Sequence, residues 1–94
     1  MLFEPFHLKK LKLRNRIVMA PMTRNMSPGG IPTIEVANYY KRRAKAEVGL
    51  IISEGIELSH KASSAYPNCP RLDTKKAREG WKRVVSGVKE EGGS

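Results

Sequence analysis

The sequence predicts an α/β fold of parallel strand and helix units, on three observations. Residues 48–52, "VGLII", are an unbroken apolar run of strand length, which suits a parallel strand covered on both faces rather than an alternating, half-solvated one. On either side, apolar residues fall at helical spacing: Val36, Ala37, Tyr40 and Ala44 before the run, and Ala77, Trp81, Val84, Val85 and Val88 after it. The order is then strand, loop, helix, strand, loop, helix, and strands separated by helices pair in parallel through crossovers.

Each element has its own local cause. In "FHLKKLKL" (6–13), Leu11 and Leu13 alternate with Lys12 and Lys9-Lys10 can occupy a bend, which predicts a short hairpin. "RIVMA" (16–20) reads as a strand, since Ile17 and Val18 favour extended backbone and Pro21 ends the ladder. In "SPGG" (27–30), Pro28 presets φ for the first central position of a turn and Gly29 supplies positive φ at the second. A helix is predicted over Thr33 to Ala46, capped by Thr33 with Glu35 in its first turn. A second is predicted over Thr74 to Glu91, with Asp73 as cap, Glu79 and Arg83 as an i,i+4 pair, and Gly92-Gly93 as the stop.

Composition limits the function classes. The 94 residues allow at most one small domain with a thin core, and no apolar run approaches the roughly 20 residues of a membrane span. Lys9, Lys10 and Lys12 interrupt the place of a secretory h-region, so a cytoplasmic location is the expectation. Cys69 is the sole cysteine, which excludes an internal disulfide and a cysteine-based metal cluster and makes it a neutral loop residue; no metal site is predicted. Of the net charge of +9, residues 1–46 carry +8 and residues 47–94 carry +1. A basic face can track phosphates, but "KRRAK" (41–45) sits near a helix end, where cations complement the macrodipole and face water. No aromatic stripe or zinc spacing accompanies it, so nucleic acid is the weaker alternative.

Two units over residues 17–91 take about 37 residues each, somewhat more than the roughly 31 of an eight-unit barrel of ~250 residues. The excess lies in the loops after the strands, the side where α/β proteins place their chemistry; "APMTRNMSPGG" and "SEGIELSHKASSAYPNCPRL" are therefore the functional candidates. Two parallel strands cannot close a barrel and leave apolar edges open.

In order along the chain, "LFEPFHLKKLKLRNRIVMAPMTR", "YYKRRA", "GLIISEG", "AYPNCPRL" and "GWKRVVSGVKEEGG" together resemble the NADH:flavin oxidoreductases, or old yellow enzymes. The resemblance implies the first two βα units of an FMN-binding (β/α)8 barrel, incomplete in this chain: a capping hairpin over 1–16, one unit over 17–46 and a second over 47–94. It places Pro21 and Met22 along the flavin ring, the Thr23 hydroxyl near its O4 and N5 edge, and Gly55 where the pyrimidine end approaches the backbone. A donor at that edge stabilises charge on the reduced ring and tunes its potential. Taken alone, Thr23 reads first as a cap or turn hydroxyl and Gly55 as a turn glycine; the flavin roles rest on the resemblance.

Tyr66 matches an aromatic residue of the substrate pocket, with packing against Pro67 and Pro70 as its other reading. Glu54 reads as a structural carboxylate whose partner strand is missing; Arg71 stands where many members have Gly; His60 reads as a surface loop residue. No residue of this chain takes a catalytic role. The implied cofactor is FMN with NAD(P)H as reductant, and the implied reaction is hydride transfer to an activated alkene. The implied partners are a small-molecule substrate and the remainder of the barrel, without which the chain is inactive. Two other readings stand beside it: a basic nucleic-acid-binding module, and a structural piece of a split barrel.

Overall fold

A computed structural model describes residues 1–57 and 68–94. Phe6–Leu8 (β1) and Leu11–Leu13 (β2) form the antiparallel hairpin, pairing Phe6 with Leu13 and turning through Lys9 at φ 53°. Val18–Met19 (β3) and Leu50–Ile51 (β4) pair in parallel, Val18 opposite Leu50 and Met19 opposite Ile51. Both strands lie inside their predicted ranges but are shorter. The expected cover on both faces is not found among the described residues: Val18 is 48% exposed and Ile52 45%. On the β4 edge away from β3, the Ile51 N–H donates to the Ser94 carbonyl at 2.7 Å.

The helices carry the core. Ile34–Lys45 (α1) starts as predicted, with the Thr33 hydroxyl accepting from the Val36 N–H at 3.2 Å. Lys75–Glu90 (α2) starts differently: Thr74, not Asp73, is the cap, its hydroxyl accepting from the Ala77 N–H at 3.1 Å. Asp73 is diverted because Arg71 binds both of its carboxylate oxygens, at 2.9 and 2.7 Å. Val36, Ala37, Tyr40 and Ala44 of α1 are buried against Trp81, Val84 and Val88 of α2, as their spacing predicts. Val85 is the exception at 48% exposed. The Glu79–Arg83 pair is absent from the ion pairs of the described residues; Lys41 instead reaches across from α1 to Glu90 at 3.0 Å. At Gly80 a Cβ would sit 2.8 Å from the Pro32 carbonyl, so this close approach of α2 to the entry of α1 requires glycine.

Opposite ends of the unit are tied by different devices. Arg14, just after β2, donates to the carbonyls of Glu91 at 2.6 Å, Val48 at 3.0 Å and Ala44. One guanidinium thus serves carbonyls at the C-terminal ends of both helices, where the dipoles favour a cation. At the other end, the loop after β3 turns through Pro28–Gly30 as a single 3-10 turn with Gly29 at φ 65°, the positive φ predicted for it. That loop is laced to the one after β4 by the Ser27 N–H to the Asn68 carbonyl at 2.9 Å and the Arg71 N–H to the Gly30 carbonyl at 2.8 Å, and within the second loop an isolated parallel bridge joins Glu57 to Arg71.

Candidate functional site

Parallel pairing puts the carboxyl ends of β3 and β4 side by side, so the loops beginning at residues 20 and 52 open on one end of the molecule. Pro21, Met22 and Thr23 leave β3 with exposed side chains, Met22 at 58%. Among the described residues the Thr23 hydroxyl caps no backbone N–H. Gly55 leaves β4 equally exposed, and a Cβ built on it meets nothing within 4 Å. Among the described residues nothing blocks the approach of a flat group over the Gly55 Cα, at the same end of the strands as the exposed Pro21, Met22 and Thr23.

Beneath this surface lies a polar network that joins the two loops. Glu54, 3% exposed, accepts from the Arg24 peptide N–H at 2.7 Å through one carboxylate oxygen. The partner expected from a missing strand is thus supplied by the neighbouring loop, although the other oxygen is buried with no partner among the described residues. The Glu54 N–H donates to the Tyr40 phenol at 3.1 Å. Burial pushes that phenol above its ordinary range, which keeps it protonated at neutral pH. Tyr39, the preceding residue of α1, packs edge-on against Tyr40 and carries two guanidiniums against its ring, Arg24 at 3.9 Å and Arg43 at 3.8 Å from the ring centre. "KRRAK" is accordingly only partly a solvated face: Arg42 and Lys45 are exposed, whereas Arg43 is stacked and Lys41 paired.

Cys69 is buried, and its thiol donates to the Gly55 carbonyl at 3.3 Å. Burial first, then the charges of Glu57 and Glu54, push the thiol up, so it is a neutral donor as well as a neutral loop residue. Arg71 anchors the far side of the same loop: its guanidinium reaches Asp73 and Glu57, its side chain covers Gly30, and its carbonyl accepts from the Trp81 indole at 2.9 Å. Tyr66 and His60 lie outside the described residues. Hollows of about 140 Å³ beside Arg24 and Tyr39 and about 230 Å³ along Ile51, Trp81 and Val85 include none of Pro21, Met22, Thr23 and Gly55.

The structure thus joins Thr23 to Gly55 through their neighbours Arg24 and Glu54. Sequence reasoning missed this link, as well as the roles of Arg24, Cys69 and Arg14. No local pattern announces them, because Arg24 and Glu54 are 30 residues apart in the chain.

Parallel strands joined by a helix, with an exposed surface at their carboxyl ends, define an α/β unit, a class in which ligands bind at that end. The sequence model of the NADH:flavin oxidoreductase / NADH oxidase family then matches residues 1–94, and the chain belongs to that family. Among curated relatives, 12-oxophytodienoate reductase 7 of Oryza sativa subsp. japonica is 38% identical over 98% of this chain and 23% of its own length. Among solved structures, morphinone reductase superposes with a TM-score of 0.89 at 40% identity, covering 98% of this chain and 24% of the other. A morphinone reductase complex with tetrahydroNAD gives 0.87 at 39% identity, again over 24% of that chain. These relatives are oxidoreductases, and the chain spans about a quarter of their length.

Proposed function

We propose that these residues form the ring-side wall of an FMN site in an oxidoreductase that reduces activated alkenes. The observation that carries the reading is the placement of Thr23 and Gly55, exposed at the carboxyl ends of two paired parallel strands, with no described residue within 4 Å of a Cβ built on Gly55. Pro21, Met22 and Gly55 offer the flat contact, and the Thr23 hydroxyl is free to donate to the flavin edge where charge develops. The chemistry FMN supplies when bound is hydride transfer, from NAD(P)H to the flavin and then to the β-carbon of an activated alkene, whose α-carbon takes a proton. Tyr66, outside the described residues, is assigned to the small-molecule pocket by the family resemblance alone. The ribityl phosphate is anchored by the remainder of a (β/α)8 barrel, whose next strand pairs along the β4 edge where the Ile51 N–H meets the Ser94 carbonyl. The two family members reported as reductases support this reading, and nothing in them favours a nucleic-acid-binding role.

The test is Thr23→Ala in the full-length protein carrying these residues. A hydrogen bond to a charged group contributes roughly 1.5 to 3 kcal/mol, and about 30 mV corresponds to 1.4 kcal/mol for a two-electron couple. The flavin midpoint therefore falls by roughly 30 to 65 mV while FMN is retained, and reduction by NAD(P)H slows. An unchanged midpoint shows that Thr23 does not touch the flavin edge.

A further inference from the structure

The Arg24 to Glu54 bond is the one hydrogen bond made by the main chain of residues 22–26 among the described residues. Between the end of β3 and Ser27, whose N–H binds the Asn68 carbonyl, no other main-chain hydrogen bond among the described residues fixes the path of this backbone. The bonded N–H belongs to the peptide plane that joins Thr23 to Arg24. Fixing that plane limits ψ of Thr23 and with it the direction of the Thr23 Cα–Cβ bond.

The holder is itself held. Glu54 is buried, its own N–H is bound to Tyr40, and Tyr40 is 1% exposed in the core between α1 and α2. Arg24 is gripped at its other end by the stack of its guanidinium on Tyr39. A carboxylate acceptor gives the shorter, stronger class of hydrogen bond, consistent with the 2.7 Å separation. A buried carboxylate is also costly unless bonded, so its retention beneath an open surface calls for a role.

We infer that Glu54 is a positioning residue for Thr23: by holding the Arg24 peptide N–H it sets where the Thr23 hydroxyl points. This rests on the flavin-wall reading. Glu54 touches neither flavin nor substrate; it acts through the 23–24 peptide.

The experiment measures flavin midpoints in the full-length holoprotein for the parent, Thr23→Ala, Glu54→Leu, Glu54→Gln and the Thr23→Ala/Glu54→Leu double variant. Exchange of the Arg24 amide proton is followed by NMR in the FMN-free protein labelled with [15N]arginine. Glu54→Leu lowers the midpoint in the same direction as Thr23→Ala, the double variant falls no further than Thr23→Ala alone, and the Arg24 amide exchanges about tenfold faster. Glu54→Gln keeps a carbonyl oxygen for the Arg24 N–H and stays close to the parent in both readouts. A folded Glu54→Leu protein at the parental midpoint while Thr23→Ala lowers it, or shifts that sum in the double variant, overturns the inference and leaves the flavin wall standing. A Thr23→Ala protein at the parental midpoint overturns the flavin wall and this inference with it. Should Glu54→Leu not fold, Glu54→Asp decides: drawing the acceptor back by one methylene speeds Arg24 exchange and lowers the midpoint, and no change in either overturns the inference.

Discussion

The Cys69 thiol and the Gly55 carbonyl join the loop end at residues 68–71 to the end of β4, and their bond depends on the thiol keeping its proton. Burial raises its folded pKa above the ordinary value of 9.0. A group that holds its proton more tightly when folded contributes stability that is fully present below the unfolded pKa and is lost as pH rises through the folded one. Unfolding midpoints followed from neutral pH upward should therefore fall more steeply above about pH 9 for the parent than for Cys69→Ala. Superimposable profiles would remove the buried thiol from the account. Cys69→Ser keeps a donor at the same place and should hold neutral-pH stability closer to the parent than Cys69→Ala does. Asp73 works with the opposite sign: its bond with Arg71 lowers its pKa, so its contribution is present above the ordinary carboxylate range and is lost on acidification through the folded value.

At the scale of elements, the two N-caps set the clearest expectation. Thr74→Ala removes the acceptor for the Ala77 N–H and should cost about 1 kcal/mol in denaturant unfolding, whereas Asp73→Ala, which touches no helix N–H, should cost less. Equal losses would return the cap to Asp73. The helices were legible because their apolar residues follow one face at 3.6 spacing and Thr33 and Thr74 stand at their mouths. Which of Asp73 and Thr74 caps α2 was not legible, since it turns on Arg71 claiming the carboxylate from outside the helix. Strand positions were read from "RIVMA" and "VGLII", but their lengths were not: a strand extends only as far as its partner does, and the pair here matches over two residues. The wall residues Pro21, Met22, Thr23 and Gly55 came from the family resemblance, and the strands' parallel pairing brings them to one end. Glu54's grip on Arg24 joins positions 30 apart through a backbone N–H, which leaves no trace in residue type.

The whole molecule is an open unit. Val18, Ile52 and Val85 are each near half exposed, and the core lies between two helices rather than around a closed sheet. Apolar strand edges of this kind recruit further strands, so the 94-residue chain alone should self-associate or melt broadly in calorimetry and sedimentation; a sharp two-state transition at monomer mass would contradict that. The same openness governs ligand binding. One wall can orient a flavin ring, but retention needs the phosphate held as well, and that anchor belongs to the larger barrel proposed above. The most direct measurement is the flavin remaining after both the 94-residue chain and the full-length protein are saturated with FMN and dialysed. The account predicts about one FMN per full-length molecule, with the 94-residue chain colourless. Stoichiometric flavin absorbance on the 94-residue chain would contradict it, because these residues would then be a complete site rather than one wall.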